Sequence, residues 1–596
     1  MADYSGSANL TITVTVTATR RSDHHGSADL TVTAAGWAGP VAFAATLAQK
    51  SGQIWAATRA QRLSEKRIRE QAPMVQLRNA ELELQFVVRD ERKALFSWIS
   101  NDTGPGQLEI PAESPAALWV HDHQGRVNRG EGRNVIGIVQ HCGARWGGLM
   151  DKYRFEQRGD GDRVMIIDFV HDYEHLKWET VWSNSFLPAW LQVPRAFVLA
   201  GPVTWVAKIA LFLQLFRHHN PLITIPDDPL NLASWFTSLD QSNWNMVVKP
   251  TGFIEAMLSG VVWGIAICRW TNWHDAFHQM LEDAELSVRC DRYLEGDPPP
   301  WPGANLRYGT LVIDIVDKSG IYVGTSNGGT PFDGLARTAA EFTDDFLDST
   351  LDVVTDTSVP ADYWKVGYRF THPRDPYVIY IEDDSSPIQT SSWVNSPAKG
   401  VEMACGGHSM PGVNETISAT IQVIFDLLGN LILLGSLGST IDALLKPLYE
   451  DTVLAWVSVK ILARAQNSGW DRLYEFFQQG ANKAYTITSL MVIRAALWST
   501  RTVISWQVTI WDGLPFMVGD RGIGHWFLDD RIGLLLKGDN VIHMDRARKI
   551  DLGWDDENPP EWMPSVGDER IWQDPGQKAF GQLERVIAGM RDLGVY

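Results

Sequence analysis

The sequence lacks the marks of several common protein classes. Its four cysteines are far apart and form no CxxC pair, so neither a zinc ribbon nor a disulfide scaffold is predicted. Acidic residues outnumber basic ones, 71 to 52, and the net charge of −19 argues against a general nucleic-acid binder, because phosphate recognition requires a basic face. The first residues show no basic region followed by an apolar one. No secretory signal is therefore predicted, and we expect assembly in a cytoplasm.

The chain is long and unusually rich in tryptophan. The 596 residues exceed the size at which one hydrophobic core stops growing, so roughly three to five domains are expected. Hydrophobic residues at 45% and charged residues at 21% are ordinary globular values, which exclude a largely disordered chain. The 26 tryptophans supply large, weakly polar rings that suit extensive interfaces as well as cores.

An internal repeat occupies the N-terminal region, where the sequence after Gly6 recurs after Gly26. Strict alternation from Leu10 to Thr17 predicts a β-strand, and the repeat predicts a second. Two strands cannot bury an apolar face alone, so we infer that they dock on another subunit or a neighbouring protein; a flexible polar leader is the alternative. Residues 40–72 then predict a helix with a basic end, for which a solvated face is preferred over contact with DNA.

Strand-like and helical segments follow each other along the rest of the chain. The strings VQLRNAELELQFVV, ALWVHD, VIGIVQHC and RVMIIDFV predict strands between residues 75 and 182. We predict an α+β, multidomain fold, with β-barrel or sandwich domains alternating with helical blocks after an N-terminal β-strand repeat. The predicted segments are 1–38 (strand repeat), 39–74 (helical, with a basic end), 75–182 (β-rich), 183–300 (apolar and helical), 301–412 (second β-rich domain), 413–490 (helical), 491–570 (small β-barrel) and 571–596 (amphipathic helix).

The most apolar run extends from Phe197 to Phe216 and contains Lys208 as its one ionisable side chain. It approaches the roughly 20 apolar residues that a membrane span needs. Three features favour a protein core or a subunit interface instead: the Gly201-Pro202 break, Trp205 in mid-run, and the absence of a closely flanking cluster of positive charges. A second apolar stretch, 421–437, is interrupted by glycines.

One five-residue match suggests zinc chemistry. His171, Glu174 and His175 fit H-x-x-E-H, the inverted zinc-protease motif. On a helix both histidines would share a face and could bind zinc, with Glu174 as the general base. The motif follows the strand-like VMIIDFV, however, and no distal carboxylate ligand is identifiable. A chance match is therefore the preferred interpretation.

The other candidate groups form no recognisable site. The Gly-x-Ser-x-Gly match around Ser326 precedes a turn-like segment, whereas a nucleophile elbow passes directly into a helix. The glycine-rich segments 324–334 and 519–526 lack the order of a phosphate loop. We predict no catalytic, cofactor-binding or metal-binding residue. The remaining groups are interpreted as surface, interface or solvated residues: His24-His25, His121-Asp122-His123, His218-His219, Asp344-Asp345, Glu382-Asp383-Asp384 and Asp555-Asp556-Glu557.

Five long strings occur in order along the chain, and the likeness that they carry extends over roughly residues 80–596. They are FLPAWLQVPRAFVLAGPVTWVAKIALFLQLFR with IPDDPL after it (186–230), LVIDIVDKSG (311–320), GGHSMPGVNETI (406–417), KPLYEDTVLAW (446–456) and GIGHWFLDDRIG (522–533). The chain resembles, in these strings, the minor tail proteins of siphoviruses that infect mycobacteria and related actinobacteria.

The resemblance implies a structural protein of the virion tail tip, the baseplate hub, and not an enzyme. It implies a homotrimer whose partners are the distal tail protein, the tape measure protein and other minor tail proteins or fibres, acting in host attachment and DNA delivery. No cofactor and no sequence-specific nucleic acid are expected, and membrane contact only during infection. Two alternatives stay open: a cell-wall hydrolase that uses His171, Glu174 and His175 or a carboxylate pair, and a membrane-active protein that inserts residues 197–216 or 421–437.

Overall fold

The structure is a computed structural model. It describes residues 11–16, 28–33, 40–159, 161–225, 238–259, 261, 263–318, 378–383, 386–406, 456–477, 496, 500, 503–538 and 542–567.

The elements up to residue 171 are nine strands and three helices. The strands are β1 (Thr11–Val16), β2 (Ala28–Thr33), β3 (Met74–Arg78), β4 (Leu84–Val88), β5 (Lys93–Ile99), β6 (Pro105–Pro111), β7 (Ile136–His141), β8 (Ala144–Gln157) and β9 (Arg163–His171). The helices are α1 (Pro40–Arg69), α2 (Pro115–His121) and α3 (His123–Asn128). Strands therefore form at both N-terminal repeats, where β1 and β2 pair antiparallel, and a 30-residue helix forms at the predicted helical segment.

Helices and short strands are mixed in the elements from residue 174 to residue 317. They are α4 (Glu174–Lys177), β10 (Thr180–Val181), β11 (Phe197–Pro202), α5 (Val203–His219), β12 (Met246–Val248), α6 (Phe253–Leu258), β13 (Trp263–Cys268), β14 (Thr271–Asn272), α7 (Trp273–Asp283), β15 (Leu286–Arg292) and β16 (Leu311–Asp317).

Strands again predominate in the described elements beyond residue 378. They are β17 (Ile379–Ile381), β18 (Ile388–Ser396), β19 (Glu402–Gly406), β20 (Trp456–Lys460), α8 (Leu462–Asn467), β21 (Glu475–Phe477), β22 (Val503–Ile510), β23 (Arg531–Leu535), β24 (Ile542–Asp555) and β25 (Glu561–Val566). The molecule is thus strand-rich with mixed α and β elements. The second apolar stretch at 421–437 and the helix predicted at 571–596 lie outside the described residues.

Thirteen strands form one large sheet, in the order β18-β22-β25-β24-β5-β6-β9-β8-β7-β3-β4, with β23 paired to β24 and β17 paired to β23. All pairs are antiparallel except β17 with β23. β24 pairs with β5, Ile550 opposite Trp98, so segments 75–182 and 491–570, which we predicted as separate β-rich units, contribute to the same sheet. A pairing between strands so distant in the chain leaves no local pattern in the sequence. The other segment boundaries stay predictions.

Aromatic rings fill the core beneath this sheet. Trp98 on β5 lies 5.3 Å from Trp562 on β25, and Phe96 lies 4.9 Å from Trp146 on β8, measured between ring centroids. These rings are buried, and alternate positions on each strand bring them to one face. Part of the tryptophan excess therefore serves the core.

Helices α5 and α7 organise the second core. α5 is surrounded by three small sheets, β10-β14, β11-β13 and β12-β16-β15, and its indole partner Trp273 donates from Nε1 to the carbonyl oxygen of Ala207 at 3.0 Å. Trp273, Phe277 and Leu281 recur on one side of α7 at helical spacing and are fully buried there. Helical periodicity in the sequence thus identified the face that packs.

The prediction of a strand at ALWVHD is wrong. These residues lie in α2 and at its C-terminal cap, because Ser114 accepts a hydrogen bond from the Ala117 backbone N–H at 3.1 Å and Pro115 occupies the first turn. Both features are start signals of a helix, and they override the short apolar alternation that we interpreted as a strand.

Candidate functional site

The H-x-x-E-H residues lie across a strand end instead of along one helix. β9 ends at His171 and α4 begins at Glu174. The His171 ring lies 5.5 Å from Trp146, between ring centroids, and its Nδ1 accepts a hydrogen bond from the Tyr173 backbone N–H at 3.2 Å. Desolvation lowers the pKa of His171, so the ring is neutral at pH 7.

Glu174 and His175 contact different partners. Glu174 accepts from the Thr103 hydroxyl at 2.6 Å and from the Trp178 Nε1 at 3.2 Å. The His175 Nε2 lies 3.3 Å from a guanidinium nitrogen of Arg292. The three motif side chains therefore do not converge on a common point. Among the described residues, no group of three or more His, Cys, Asp or Glu side chains is placed to hold a metal ion, and the absence of a metal stays a prediction.

Asp172, which lies inside the motif, forms a buried ion pair with Arg292. Its two carboxylate oxygens accept from Arg292 at 2.6 and 2.9 Å, and both side chains are buried. Burial by itself raises the pKa of Asp172, but the guanidinium outweighs this effect and the pKa is lowered. The pair joins the end of β9 to the end of β15, and so links the large sheet to the second core. The sequence interpretation missed it, since the motif search weighed only the neighbouring histidines and Glu174.

A second buried ionic cluster forms at Asp529 and Asp530, just before β23. Asp529 accepts from the hydroxyls of Ser100 and Ser287, both at 2.5 Å, and from Arg546 at 2.7 Å. Ser100 follows β5 in the large sheet, whereas Ser287 lies on β15 in the second core. One buried carboxylate therefore holds a group from each part of the molecule.

Asp530 makes the matching contact with Lys318, which donates to its carboxylate at 2.5 Å. Burial raises the pKa of Asp530 although Lys318 opposes the shift. Further polar pairs cross between the sheet and the second core around this cluster. We call the whole set the ionic junction; its outer members are Asn101–Glu282, Arg548–Glu282, Arg531–Glu285, Arg289–Asp520, Arg521–Asp291 and Arg145–Asp297.

The ionic junction fixes how the two cores meet. A buried ion pair adds little net stability over an apolar pair, but removing one member costs roughly 3–5 kcal/mol because a buried charge is left unpaired. Each charged group also demands a specific geometry from its partner. The junction is therefore suited to holding the two cores in one orientation. Its carboxylates accept hydrogen bonds from cations and from hydroxyl or amide donors.

A cavity of about 500 Å³ opens beside the junction. Six of the residues that line it carry hydroxyl groups, and two of its charged members, Glu282 and Arg548, pair with each other. The residues that line it include Ser100, Asp102, His278, Thr390, Ser392, Thr509, Lys549 and Ser565.

The other predicted groups are scattered. His121 contacts the Tyr153 hydroxyl at 3.1 Å, and His218 contacts Glu179 at 3.0 Å. Asp555 closes the turn after β24 by accepting from Asn558. The structure therefore does not bring these groups together. His24-His25, Ser326, Asp344-Asp345 and Asp384 lie outside the described residues.

The apolar run is divided between β11 and α5 and is packed within the protein. Lys208 on α5 donates to Asp314 on β16 at 2.7 Å and to the Thr251 hydroxyl at 2.7 Å. Trp205 packs edge-on against Phe253 at 5.1 Å between centroids. Within the described ranges, no helix is both long and apolar enough to span a bilayer. These contacts agree with the interpretation of the run as a protein core.

An ordered loop just before this run presents apolar side chains to solvent. Asn184 and Gln192 hold residues 182–195 together: the Gln192 side chain accepts from the Asn184 backbone N–H at 2.9 Å, and the Asn184 side chain donates to the Val193 carbonyl at 2.8 Å. Trp190 is nevertheless 83% exposed. We call residues 182–195 the tryptophan loop; its other exposed apolar members are Phe186, Leu191 and Val193.

Comparison with known proteins gives a consistent result. The family of siphovirus ReqiPepy6 Gp37-like proteins matches residues 74–568. The chain belongs to this family. Among relatives, Minor tail protein Gp28 of Mycobacterium phage L5 is 30% identical over 600 residues, which cover 92% of this chain and 99% of that protein. Minor tail protein Gp28 of Mycobacterium phage D29 is 30% identical over 599 residues with the same coverage.

Solved structures of tail proteins are similar to this member of the Gp37-like family at low identity. The tail protein from Neisseria meningitidis MC58 shares 9% identity at a TM-score of 0.36, covering 85% of this chain and 99% of that one. The prophage MuSo2 43 kDa tail protein from Shewanella oneidensis shares 8% identity at a TM-score of 0.35, covering 83% and 98%. The predicted resemblance to siphovirus minor tail proteins is thus confirmed, and it rests on the family and the Gp28 relatives.

Proposed function

We propose that this protein is a structural component of the siphovirus tail tip, the baseplate hub, and that it works as a homotrimer without enzymatic activity. In this role it joins the tail tube, through the distal tail protein and the tape measure protein, to the tip fibres and other minor tail proteins. It acts in host attachment and in DNA delivery. Family membership supports a tail role, and the surface of the molecule supports the attachment role.

The proposal rests on the tryptophan loop, which belongs to a molecule whose two cores are joined by the ionic junction. Exposed apolar side chains that are already held by hydrogen bonds lose little conformational freedom on binding, so they suit a protein interface. Tryptophan is also the residue type most enriched among the side chains that dominate binding energy. The ionic junction keeps the two cores fixed while force passes between neighbours. This arrangement supports a role in attachment and not a catalytic role.

The test is to change the tryptophan loop in the phage genome. Phe186→Ala with Trp190→Ala should leave the free protein folded, because both side chains are exposed, yet should reduce its incorporation into tails by roughly tenfold or more. Incorporation is measured by quantitative immunoblotting of purified virions, and immunogold labelling should place the wild-type protein at the tail tip. Trp470→Ala is the matched control, since Trp470 is 98% exposed outside the loop.

Normal incorporation of the double variant would remove the support that the loop gives. Gold particles along the tail shaft or on the capsid would overturn the hub assignment itself.

The proposal that the protein is not an enzyme has its own test. Glu174 is the side chain that a zinc hydrolase would need as general base. Glu174→Gln keeps one oxygen that can accept from the Trp178 Nε1, and its amide NH2 can donate to the Thr103 hydroxyl, which also accepts. We expect infectivity and any cell-wall clearing by virions to stay unchanged. Loss of clearing together with stoichiometric zinc in the wild-type protein would establish the hydrolase alternative.

A further inference from the structure

We propose that the exposed part of α1, residues 50–68, docks on the surface of a second copy of this chain. The inference rests on the proposed function in one respect, the oligomer, and it names the segment that holds copies together. The Gp37-like family matches residues 74–568, so α1 lies ahead of the matched region.

The first observation is that α1 is a long helix with little of its own chain around it. Every described side chain from residue 50 to residue 60 is exposed, and Ile54 and Trp55 are 68% and 63% exposed. Helices in water owe most of their stability to packing of one face, and the described side chains of residues 50–60 show no such packing. A partner that covers the side of the helix with Trp55 and Leu63 would supply it.

The second observation is the anchor at the other end of the helix. Arg69 lies 3.3 Å from Asp512, between Nε and Oδ2, and the Cys142 thiol lies 3.8 Å from the Ile68 carbonyl oxygen. Both the Arg69 and the Asp512 side chains are largely buried. The last turn is thus fixed on the large-sheet body, and a helix rises about 1.5 Å per residue. The preceding turns are therefore held away from that body and within reach of another molecule.

The third observation is the charge of α1, which favours a second copy of this chain as the molecule that covers the helix. The helix holds six basic residues and one acidic residue, a charge of +5, while the whole chain carries −19, so the residues outside α1 carry −24. Trp55, Arg59, Arg62 and Lys66 follow helical spacing on one side, and the Arg59 guanidinium lies 5.2 Å from the Trp55 ring. A basic and aromatic stripe on a helix that projects from an acidic protein is complementary to a second copy of that protein.

A heterologous contact of this kind has a definite consequence for assembly. One patch meets a different patch on the neighbour, so repetition of the contact closes into a ring when the rotation between copies allows it. A trimer satisfies this condition, and the anchored α1 of each copy would then reach the next.

The experiment compares two matched charge reversals in the full chain by sedimentation equilibrium. Arg59→Glu with Arg62→Glu changes the stripe; Arg133→Glu with Arg269→Glu reverses two exposed arginines elsewhere. Wild type and the control pair should self-associate alike, more weakly as salt rises. The α1 pair should associate about tenfold more weakly or not at all. Its circular dichroism melting curve should equal that of wild type at a concentration at which both proteins are monomeric. Trp55→Ala should weaken association as well, and Trp470→Ala should not.

Three outcomes would overturn the inference, and they are distinguishable from failure of the proposed function. An α1 pair that still forms the wild-type oligomer refutes the docking role but leaves the trimer and the tail-tip location intact. A wild-type protein that stays monomeric refutes both the docking role and the trimer. Unchanged association together with double-stranded DNA binding that the α1 pair loses would assign the stripe to phosphate instead. Immunogold location at the tail tip is independent of all three.

Discussion

Two helices of this molecule show opposite ways in which a helix is supported. α5 has 17 residues, of which most are apolar, and its one lysine is buried against Asp314. α1 has 30 residues, and its described side chains are mostly exposed and strongly basic. α5 packs against its own chain along most of its length, whereas the described contacts of α1 with the rest of the chain lie at its C-terminal end.

This difference shows that the apolar content of a helix does not decide whether the helix needs a second molecule to cover it. Residues 197–216 are conspicuous in the sequence because they contain a single ionisable side chain, yet the neighbouring strands and α7 bury most of them. α1 has a less conspicuous composition, yet it is the helix whose apolar side chains stay in solvent. Substitutions placed at equivalent positions on the two helices sharpen this contrast.

The largest effect is expected from the same substitution made in both helices. Ala207 on α5 is fully buried, so Ala207→Asp places a carboxylate without a partner in the core and should lower the free energy of unfolding by about 4 kcal/mol or prevent folding. Ala57→Asp on α1 replaces an exposed side chain and should cost no more than about 0.7 kcal/mol of helix propensity. Urea unfolding followed by tryptophan fluorescence measures both.

Similar losses for the two variants would break the comparison. Virions with Ala207→Asp that assemble and adsorb, yet fail to deliver DNA, would favour the membrane-active alternative over a core role.

A smaller contrast is expected for tryptophan. Trp205 is partly buried against Phe253, so Trp205→Ala should lower the free energy of unfolding by about 3 kcal/mol, somewhat less than for a fully buried ring. Trp55→Ala should change it by less than about 0.5 kcal/mol, as expected for a surface site, while weakening self-association. The same urea titrations decide, and a harmless Trp205→Ala would argue against the core assignment.

Local patterns in the sequence predicted local structure well. Alternation placed the two N-terminal strands, and the composition of residues 40–72 placed α1. The error at ALWVHD came from weighing apolar alternation above the Ser114-Pro115 start signal. The family was identified from five long sequence strings between residues 186 and 533, and not from a catalytic or binding site.

Long-range pairing could not be predicted, for a physical reason. The contacts of β24 with β5, and of Asp529 with Ser100 and Ser287, join residues hundreds of positions apart, and a single sequence carries no record of which distant groups meet. The string GIGHWFLDDRIG contains Asp529 and Asp530, the two central aspartates of the ionic junction. Adjacent acids in a loop look solvated until the structure shows Lys318 and Arg546 against them.

The ion pair between Lys208 on α5 and Asp314 on β16 predicts a defined pH dependence of stability. Burial by itself raises the pKa of Asp314, but Lys208 and Lys249 outweigh it and the pKa lies below its ordinary value of 3.8. A lowered pKa means that Asp314 contributes stability above the unfolded pKa and loses it as the pH falls through the folded value. Lys208→Met should therefore cost about 1–3 kcal/mol at pH 7, and the acid-induced loss should begin at a higher pH.

Lys249→Met is the control for this prediction, because Lys249 binds the other carboxylate oxygen at 2.9 Å but is far more exposed, and its loss should cost less. Equal losses for the two variants, or an acid transition that does not move, would contradict the assignment of Lys208 as the principal partner of Asp314.

The smallest effect is expected where α1 meets the body. Burial raises the pKa of Asp512 to about 6, with Arg69 opposing the shift. A raised pKa in an acid means that the folded protein binds the proton more tightly, so the contribution to stability is fully present below pH 4 and is lost as the pH rises through about 6. Asp512→Asn should remove this step from a plot of unfolding free energy against pH. The difference should be about 1 kcal/mol or less, because the last turn of a helix can move and admit water.

In Arg69→Met the step should shift to higher pH, since the cation that opposes the effect of burial on the pKa of Asp512 is gone. A step at the same pH in Arg69→Met and wild type would show that Arg69 does not hold the end of α1 on Asp512, and the contrast with α5 would then extend along the whole helix.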